Sequence, residues 1–391
     1  MFDDPMRLFI ALCTITASVY LISTWSKLSG LFKYLPAVVW LYFVPMIFST
    51  AGLLPSESPL YGALAKYTLP FALLLLTIST DIKAILSVGK QAFIAFLSGT
   101  FGVAFGVITA QLLFSSFLPE DGWQGLTLLA AAWIGGSANM LAMQQSLDVN
   151  PSVLSPLLVA DTIVAYSWLG IVIAFSSFQK PMDRWLKADE TALVKVEQSL
   201  TLEANTRKHN TVPSLAILIG FGLFFTYVCR EIGEALPSIG DPTIISATTW
   251  TIIVVVSVGL LVSLTPVGKL SRSYGASNFA YVGLFLLLTT VGAQANLRSI
   301  FDAPIFMAAA ITTIIVHITT MLIVARLFRL PSFFVAAGSM SNIGGAVSGP
   351  IAAAAYRPAL APIGALLGVA GYIVGIYVPL ATGAILAQIA Y

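Results

Sequence analysis

Asp161 is the one acidic residue set well inside an apolar stretch of this 391-residue chain, in the run Val159-Ala160-Asp161-Thr162-Ile163. At membrane depth a carboxylate costs roughly 3 kcal/mol or more, and by default it marks an ion or proton site. Its oxygens suit Na⁺ together with backbone carbonyls, or it carries a proton; the plainer alternative is a buried Asp satisfied by Ser, Thr or Asn of neighbouring helices. Two glycine pairs accompany it, in Trp133-Ile134-Gly135-Gly136-Ser137-Ala138-Asn139 and in Ser341-Asn342-Ile343-Gly344-Gly345. Each falls in the middle of an apolar segment, where glycine weakens a helix by roughly 1 kcal/mol relative to alanine. A helix restarted there exposes unpaired N–H groups and about half a positive charge at its N-terminus. Gly135, Gly136, Gly344 and Gly345 let backbone approach a solute closely, and Ser137, Asn139, Ser341, Asn342 and Ser348 supply polar side chains beside them. Together these nine residues form the candidate substrate site, with Asp161 as the candidate ion site. Close helix packing through small residues is the competing explanation of each glycine pair taken alone. His317, among Thr312, Thr313, Thr319 and Thr320, is either a packing residue with a satisfied ring or a proton relay. Asp81 with Lys83, and Asn296 with Arg298, read as helix ends and interfacial anchors.

The elements that must position these residues follow from composition. Of the residues, 58% are hydrophobic and 9% charged, against roughly 25% charged in soluble domains. A lipid solvent accommodates that much apolar surface; a soluble core of this length does not. The net charge of +2 gives no sign of a nucleic-acid partner. Cys13 and Cys229 lie in separate apolar stretches, so neither a disulfide framework nor a metal knuckle is expected. The first apolar run, Leu8 to Ile22, has no basic leader or small-residue cleavage site and reads as a retained helix.

With about 20 apolar residues needed per crossing, twelve segments stand out: 7–24, 36–54, 61–79, 90–117, 123–148, 151–178, 213–236, 243–265, 276–294, 304–328, 332–356 and 361–390. A polar stretch at 179–212, expected as a short amphipathic surface helix plus a loop, divides the chain into halves 1–178 and 213–391. The halves repeat: the stretch from Leu76 to Ile85 resembles Val291 to Ile300, Trp133 to Ser137 resembles Asn342 to Ala346, and Val159 to Val164 resembles Val369 to Val374, in the same order. Segments five and eleven carry the glycine breaks. If both only dip into the membrane and 179–212 is cytoplasmic, Arg7, Lys66, Arg230 and Arg298 alone among the 19 basic residues lie outside. If both cross, Lys27, Lys33, Lys83, Lys90, Arg230, Arg298 and Arg357 do. The positive-inside bias favours re-entry. Re-entry also makes the halves inverted, since five crossings then separate segments three and nine. The expected fold is an all-α polytopic membrane protein of two inverted repeats, each five transmembrane helices plus one re-entrant hairpin with a Gly-Gly tip, and the site at the repeat interface.

The two glycine motifs, with Val159-Ala160-Asp161 and the run from Leu366 to Gly375, resemble the bacterial membrane family catalogued as domain of unknown function 819 over nearly the whole chain. That family is grouped with cation–proton antiporters, bile-acid symporters, and 2-hydroxycarboxylate and glutamate–sodium symporters. The latter two have inverted halves with Gly-Gly hairpin tips and work as dimers by an elevator-like movement. The resemblance implies a bacterial inner-membrane location, a homodimer, and tips formed by Gly135, Gly136, Gly344 and Gly345. No arginine lies within either tip region to clamp a carboxylate, Arg357 being at the far end of its segment; a di- or tricarboxylate substrate is therefore disfavoured.

The expected function is secondary active transport of a small organic solute, anionic or zwitterionic, coupled to Na⁺ or H⁺. A Na⁺/H⁺ antiporter is the alternative, one that calls for a more richly ionisable core. No nucleophile–base pair, paired intramembrane carboxylates, Cys–His arrangement or P-loop is written here, so an intramembrane enzyme and an ATP-driven pump are not expected. A receptor role leaves the two mirrored breaks unexplained. No cofactor is expected beyond the coupling ion.

Overall fold

A computed structural model describes residues 4–28, 31–32, 36–189, 211–240, 243, 245–295, 297–298 and 304–390. Lys33, Asn296 and the greater part of the expected linker, 190–210, lie outside the described residues. Among those described, regular structure is helical apart from one antiparallel bridge between Ile239 and Ile245.

The first half contains α1 (Pro5–Ser23), α2 (Ala37–Thr50), α3 (Pro59–Ile78), a short α4 (Ile82–Ser87), α5 (Lys90–Phe114), α6 (Gly122–Ala132), α7 (Ser137–Leu147) and α8 (Pro151–Phe175). A surface helix α9 (Gln179–Leu186) follows. The second half contains α10 (Val212–Glu234), α11 (Ala247–Ser263), α12 (Pro266–Ser273), α13 (Ala276–Gln294), α14 (Pro304–Phe328), α15 (Ser332–Ile343), α16 (Gly345–Tyr356) and α17 (Ala361–Ala390). All twelve apolar segments are thus helical. Among the described residues, eight helices are long and apolar enough to cross a membrane, or nine if α11 and α12, bent by 95°, form one span. The remaining three are the 14-residue α2 and the two segments that break at glycine. The protein is a multi-pass membrane protein.

Helix starts follow local chemistry. Asp4, Ser58 and Asn150 each place a side-chain oxygen on a first-turn N–H ahead of a proline at the start of the helix. Thr211 with Ser214, and Ser246 with Thr249, form reciprocal caps. Asp81 caps α4 by accepting from Ala84 N–H at 3.0 Å and pairs with Arg272 at 3.6 Å, so it is a helix end, as its position suggests. The amphipathic helix expected after residue 178 is α9. Its Leu186 is buried in the cluster that holds Phe333 and Phe334, and its Asp183 accepts from Ser332 N–H at 2.7 Å, capping α15 from outside the helix.

The helices pack in two groups, each drawing on both halves of the sequence. One group contains α1, α2, α3, α10, α11 and α13; the other contains α5 to α8 and α14 to α17. In the first, α2 packs on α13 and α11 on α3. In the second, α5 lies along α14 at backbone contact, because Gly99, Gly102 and Gly106 present no side chain to Thr313 and His317. Large apolar side chains on α10, such as Phe221, Leu223, Phe224 and Tyr227, remain exposed, as a lipid-facing surface requires.

Candidate functional site

The two glycine breaks come from different halves of the chain and meet. In the first, α6 ends at Ala132 and α7 starts at Ser137. Between them Gly135 has φ 140° and Gly136 has φ 87° with ψ −166°, a backbone conformation almost confined to glycine. In the second, α15 ends at Ile343 and α16 starts at Gly345, whose φ is 59°. The arms on either side of each break pack against one another. The tips touch directly: Gly135 N–H donates to Asn342 O at 3.2 Å.

A single face of α17 seats both tips. Gly364 lies against Gly349, Gly368 against Gly345 and Ala346, Gly371 against Gly135, and Gly375 against Ile134 O and Asn139. A β-carbon at any of these positions would overlap backbone or the Asn139 amide. The spacing of four, three and four residues along α17 keeps the glycines on one helix face.

Above the joined tips is a cavity of about 90 Å³, room for several waters. Its floor is the tips: Gly135, Gly136, Ser137 and Ala138 from the first, and Gly344 through Ser348 from the second. Its walls are Asp161, Thr162 and Tyr166 of α8, Tyr372 of α17, Val38 and Tyr42 of α2, and Tyr281, Leu284, Phe285 and Leu288 of α13. The cavity therefore lies on the boundary between the two helix groups. Tyr281 and Tyr372 bridge that boundary through their hydroxyls at 2.7 Å, and Ser257 and Tyr377 do so at 2.8 Å.

Asp161 is held from one side. Trp133 Nε1 donates to its Oδ1 at 2.6 Å, and the carboxylate keeps part of its surface open to the cavity. Neither the Arg230–Glu234 nor the Asp81–Arg272 ion pair involves it, and no Lys, Arg or His is among the described residues that line the cavity. The Tyr42 hydroxyl is buried and makes no hydrogen bond of good geometry, although the Ser137 hydroxyl stands within reach, with Asp161 and Tyr166 nearby.

Of the nine substrate-site candidates, Gly135, Gly136, Ser137, Gly344, Gly345 and Ser348 line the cavity, and Asp161 joins them. Three need correcting in placement. Asn139 is fully buried and donates to Gly371 O at 3.0 Å and Ile134 O at 3.4 Å. Asn342 accepts from Thr100 Oγ1 at 2.8 Å and donates to Phe96 O and Gly338 O, each at 2.9 Å. Ser341 donates to Gly364 O at 2.9 Å. These side chains fasten the tips to α5 and α17, although the Asn139 Oδ1 is left without a partner, and they do not line the cavity. The tips themselves form one continuous floor, not two lips with a solute-sized gap between them. His317 stands outside the cavity with both ring nitrogens engaged. Nδ1 faces the Gly99 carbonyl at 3.0 Å and so must carry the proton, leaving Nε2 to accept from Ser339 Oγ at 2.9 Å, while Ser339 accepts from Trp168 at 2.9 Å. That is the satisfied packing arrangement.

The family described as "Protein of unknown function (DUF819)" matches residues 10–389. The chain belongs to the DUF819 family. Among its relatives is the "Uncharacterized membrane protein YjcL" of Bacillus subtilis (strain 168), 25% identical over 344 residues, which cover 85% of each chain. The DUF819 match spans both tips, Asp161 and the glycine face of α17, so the whole site lies inside the family's matched region. Sequence reasoning missed Tyr42, Tyr166, Tyr281 and Tyr372 as cavity walls. Their signal was tyrosine in mid-segment, where a hydroxyl must find a partner or water.

Proposed function

We propose that this chain is a secondary active transporter that carries a small organic solute through the cavity between its two helix groups, with Asp161 taking a cation, Na⁺ or H⁺, during the cycle. The observation that carries the reading is that two helix breaks from opposite halves of the sequence share one cavity with that carboxylate. Broken helices whose ends face a site at a repeat interface are a common build of such transporters.

Inverted repeats with re-entrant hairpins are part of the proposal. They are supported by the reciprocal packing of α2 on α13 and α11 on α3, by the pairing of α5 with its counterpart α14, and by arms that pack together beside each break. The distribution of basic residues points the same way. Irregular backbone at membrane depth survives where protein buries it or a wet cavity borders it, and the tips meet both conditions. In an elevator-like movement α5 to α8 and α14 to α17 would travel with the floor of the site while α2 and α13 stay as the wall. A homodimer formed by the stationary group and an inner-membrane location belong to the same proposal, and no catalytic role does.

Na⁺/H⁺ antiport is the second reading, favoured by a carboxylate in the cavity that has no basic side chain beside it among the lining residues. The decisive experiment is a thermal-shift screen of the purified protein against metabolites in Na⁺ or K⁺, followed by uptake of any hit into proteoliposomes. Solute uptake that depends on the cation, and disappears in Asp161→Asn protein that still folds, is the expected result. Exchange of Na⁺ for H⁺ with no solute moved would transfer the assignment to the antiporter. An inert protein would end both.

A further inference from the structure

The cavity holds two kinds of unmet bonding capacity, and they are opposite in sign. On the floor, the first N–H groups of two helices have no backbone partner among the described residues: those of Ser137 and Ala138 in α7 and of Gly345 and Val347 in α16, Ala346 N being packed on Gly368 of α17. Each of these N-termini adds about half a positive charge. Beside them stand acceptors: the open side of Asp161, the Tyr42 hydroxyl and the Ser137 hydroxyl. The Tyr42 hydroxyl is a second and independent sign of a ligand, because Tyr42 is 7% exposed and its oxygen makes no hydrogen bond of good geometry, although the Ser137 hydroxyl stands within reach. Leaving such a group unpaired costs roughly 1–3 kcal/mol, a cost that a bound donor or acceptor removes.

We propose that the solute is a small zwitterion of the amino-acid type, its carboxylate accepting from the N–H groups of the two tips and its ammonium donating to Asp161, Tyr42 and Ser137. This rests on the reading of the cavity as the transport site and names the class of solute that the site selects. Three acceptors match the three N–H bonds of a primary ammonium. One carboxylate and two half-positive helix ends leave the cavity close to neutral, so a solute with both charges meets a complement at each end. A simple carboxylate would bring no cation of its own to the Asp161 side of the cavity. A simple amine would leave the floor N–H groups bare. Tyr42 and Tyr166, lining the cavity beside Asp161, add aromatic surroundings that favour an organic ammonium.

A consequence for coupling follows. Asp161 already has one oxygen engaged by Trp133, and the solute's ammonium and a metal ion placed together on its remaining acceptor sites would repel each other. Solute and Na⁺ therefore compete for it, so the coupling is exchange and Na⁺ weakens solute binding.

The test uses the full-length protein in nanodiscs and probe sets that share one side chain, beginning with alanine, propionate and ethylamine. It extends to the other proteinogenic amino acids and β-alanine, each with its deaminated and decarboxylated analogues, in Na⁺ and in K⁺. At least one zwitterion is expected to bind tenfold or more tightly than both of its analogues, and several-fold less tightly in Na⁺ than in K⁺. Asp161→Asn should reduce that zwitterion to the level of its deaminated analogue, and Tyr42→Phe should weaken it several-fold. Should Asp161→Asn not fold, Tyr42→Phe alone decides, since it removes only one oxygen. Equal binding of zwitterion and deaminated analogue, no effect of either variant on their ratio, or no zwitterion bound at all would overturn the proposal. If another class of solute binds and is transported, the solute class falls and the transport reading stands; if nothing binds or moves, both fall.

Discussion

Replacing Gly136 by alanine tests the tip with little steric noise. A β-carbon there meets nothing closer than Gly345 Cα at 3.7 Å, an ordinary contact. The cost is therefore backbone: φ 87° with ψ −166° is a region that side-chain-bearing residues enter at roughly 1–3 kcal/mol. At about 1.4 kcal/mol per factor of ten, that shifts the population of the cavity-lining tip by roughly 5- to 150-fold. Solute affinity should fall by a factor in that range. Gly220→Ala is the control. Its β-carbon meets nothing within 4 Å and it lies inside α10, so alanine should stabilise by up to about 1 kcal/mol. Apparent melting temperature and solute binding are measured on the same nanodisc preparations. If Gly136→Ala binds as the wild type does, or melts as Gly220→Ala does, the positive-φ tip is refuted.

Further outcomes follow from the same geometry. Cysteines at Glu120 and Asn150 should both label from outside and those at Phe328 and Ala359 both from inside; a segment whose two ends label from opposite sides is a crossing helix, and the hairpins fail. Asn342→Asp turns the two donors facing Phe96 O and Gly338 O into acceptors and should cost at least about 2 kcal/mol, read as lowered thermal stability, whereas unchanged melting would remove Asn342 from the fastening of the tip. His317→Phe takes from the Ser339 hydroxyl its acceptor and leaves the Gly99 carbonyl only its helical bond, and should cost roughly 1–3 kcal/mol while leaving cation-dependent uptake intact; altered cation dependence would restore the proton-relay role.

The segments and the breaks were legible in the sequence for different reasons. Apolar runs of membrane length declare themselves by composition, and glycine pairs in mid-segment violate helix propensity at matching places in both halves. That α2, with 14 residues, and α11, which turns through 95° into α12, fall short of a plain span was not visible, because hydropathy does not report where a helix bends. The candidate site was half legible. Residues in the breaks reached the cavity, but Asn139, Ser341 and Asn342 turned away from it. The phase of a helix restarted after positive φ depends on dihedrals that residue types do not encode. Trp133 and Asp161, 28 positions apart, meet only because α6 and α8 pack. The tyrosine walls come from α2 and α13, whose pairing across the two halves no local pattern announces.

The floor of the cavity is made chiefly of main chain, which is the same in every protein that keeps these glycines. It can recognise a charge or a carbonyl, yet it carries almost no record of what is attached to that group. On the transport reading proposed above, discrimination between similar solutes falls to the side chains of the walls, above all Val38 and Tyr42 of α2 and Tyr281, Leu284, Phe285 and Leu288 of α13. Exchanging those positions between two relatives should transplant a substrate preference, whereas exchanging the tips should transplant none.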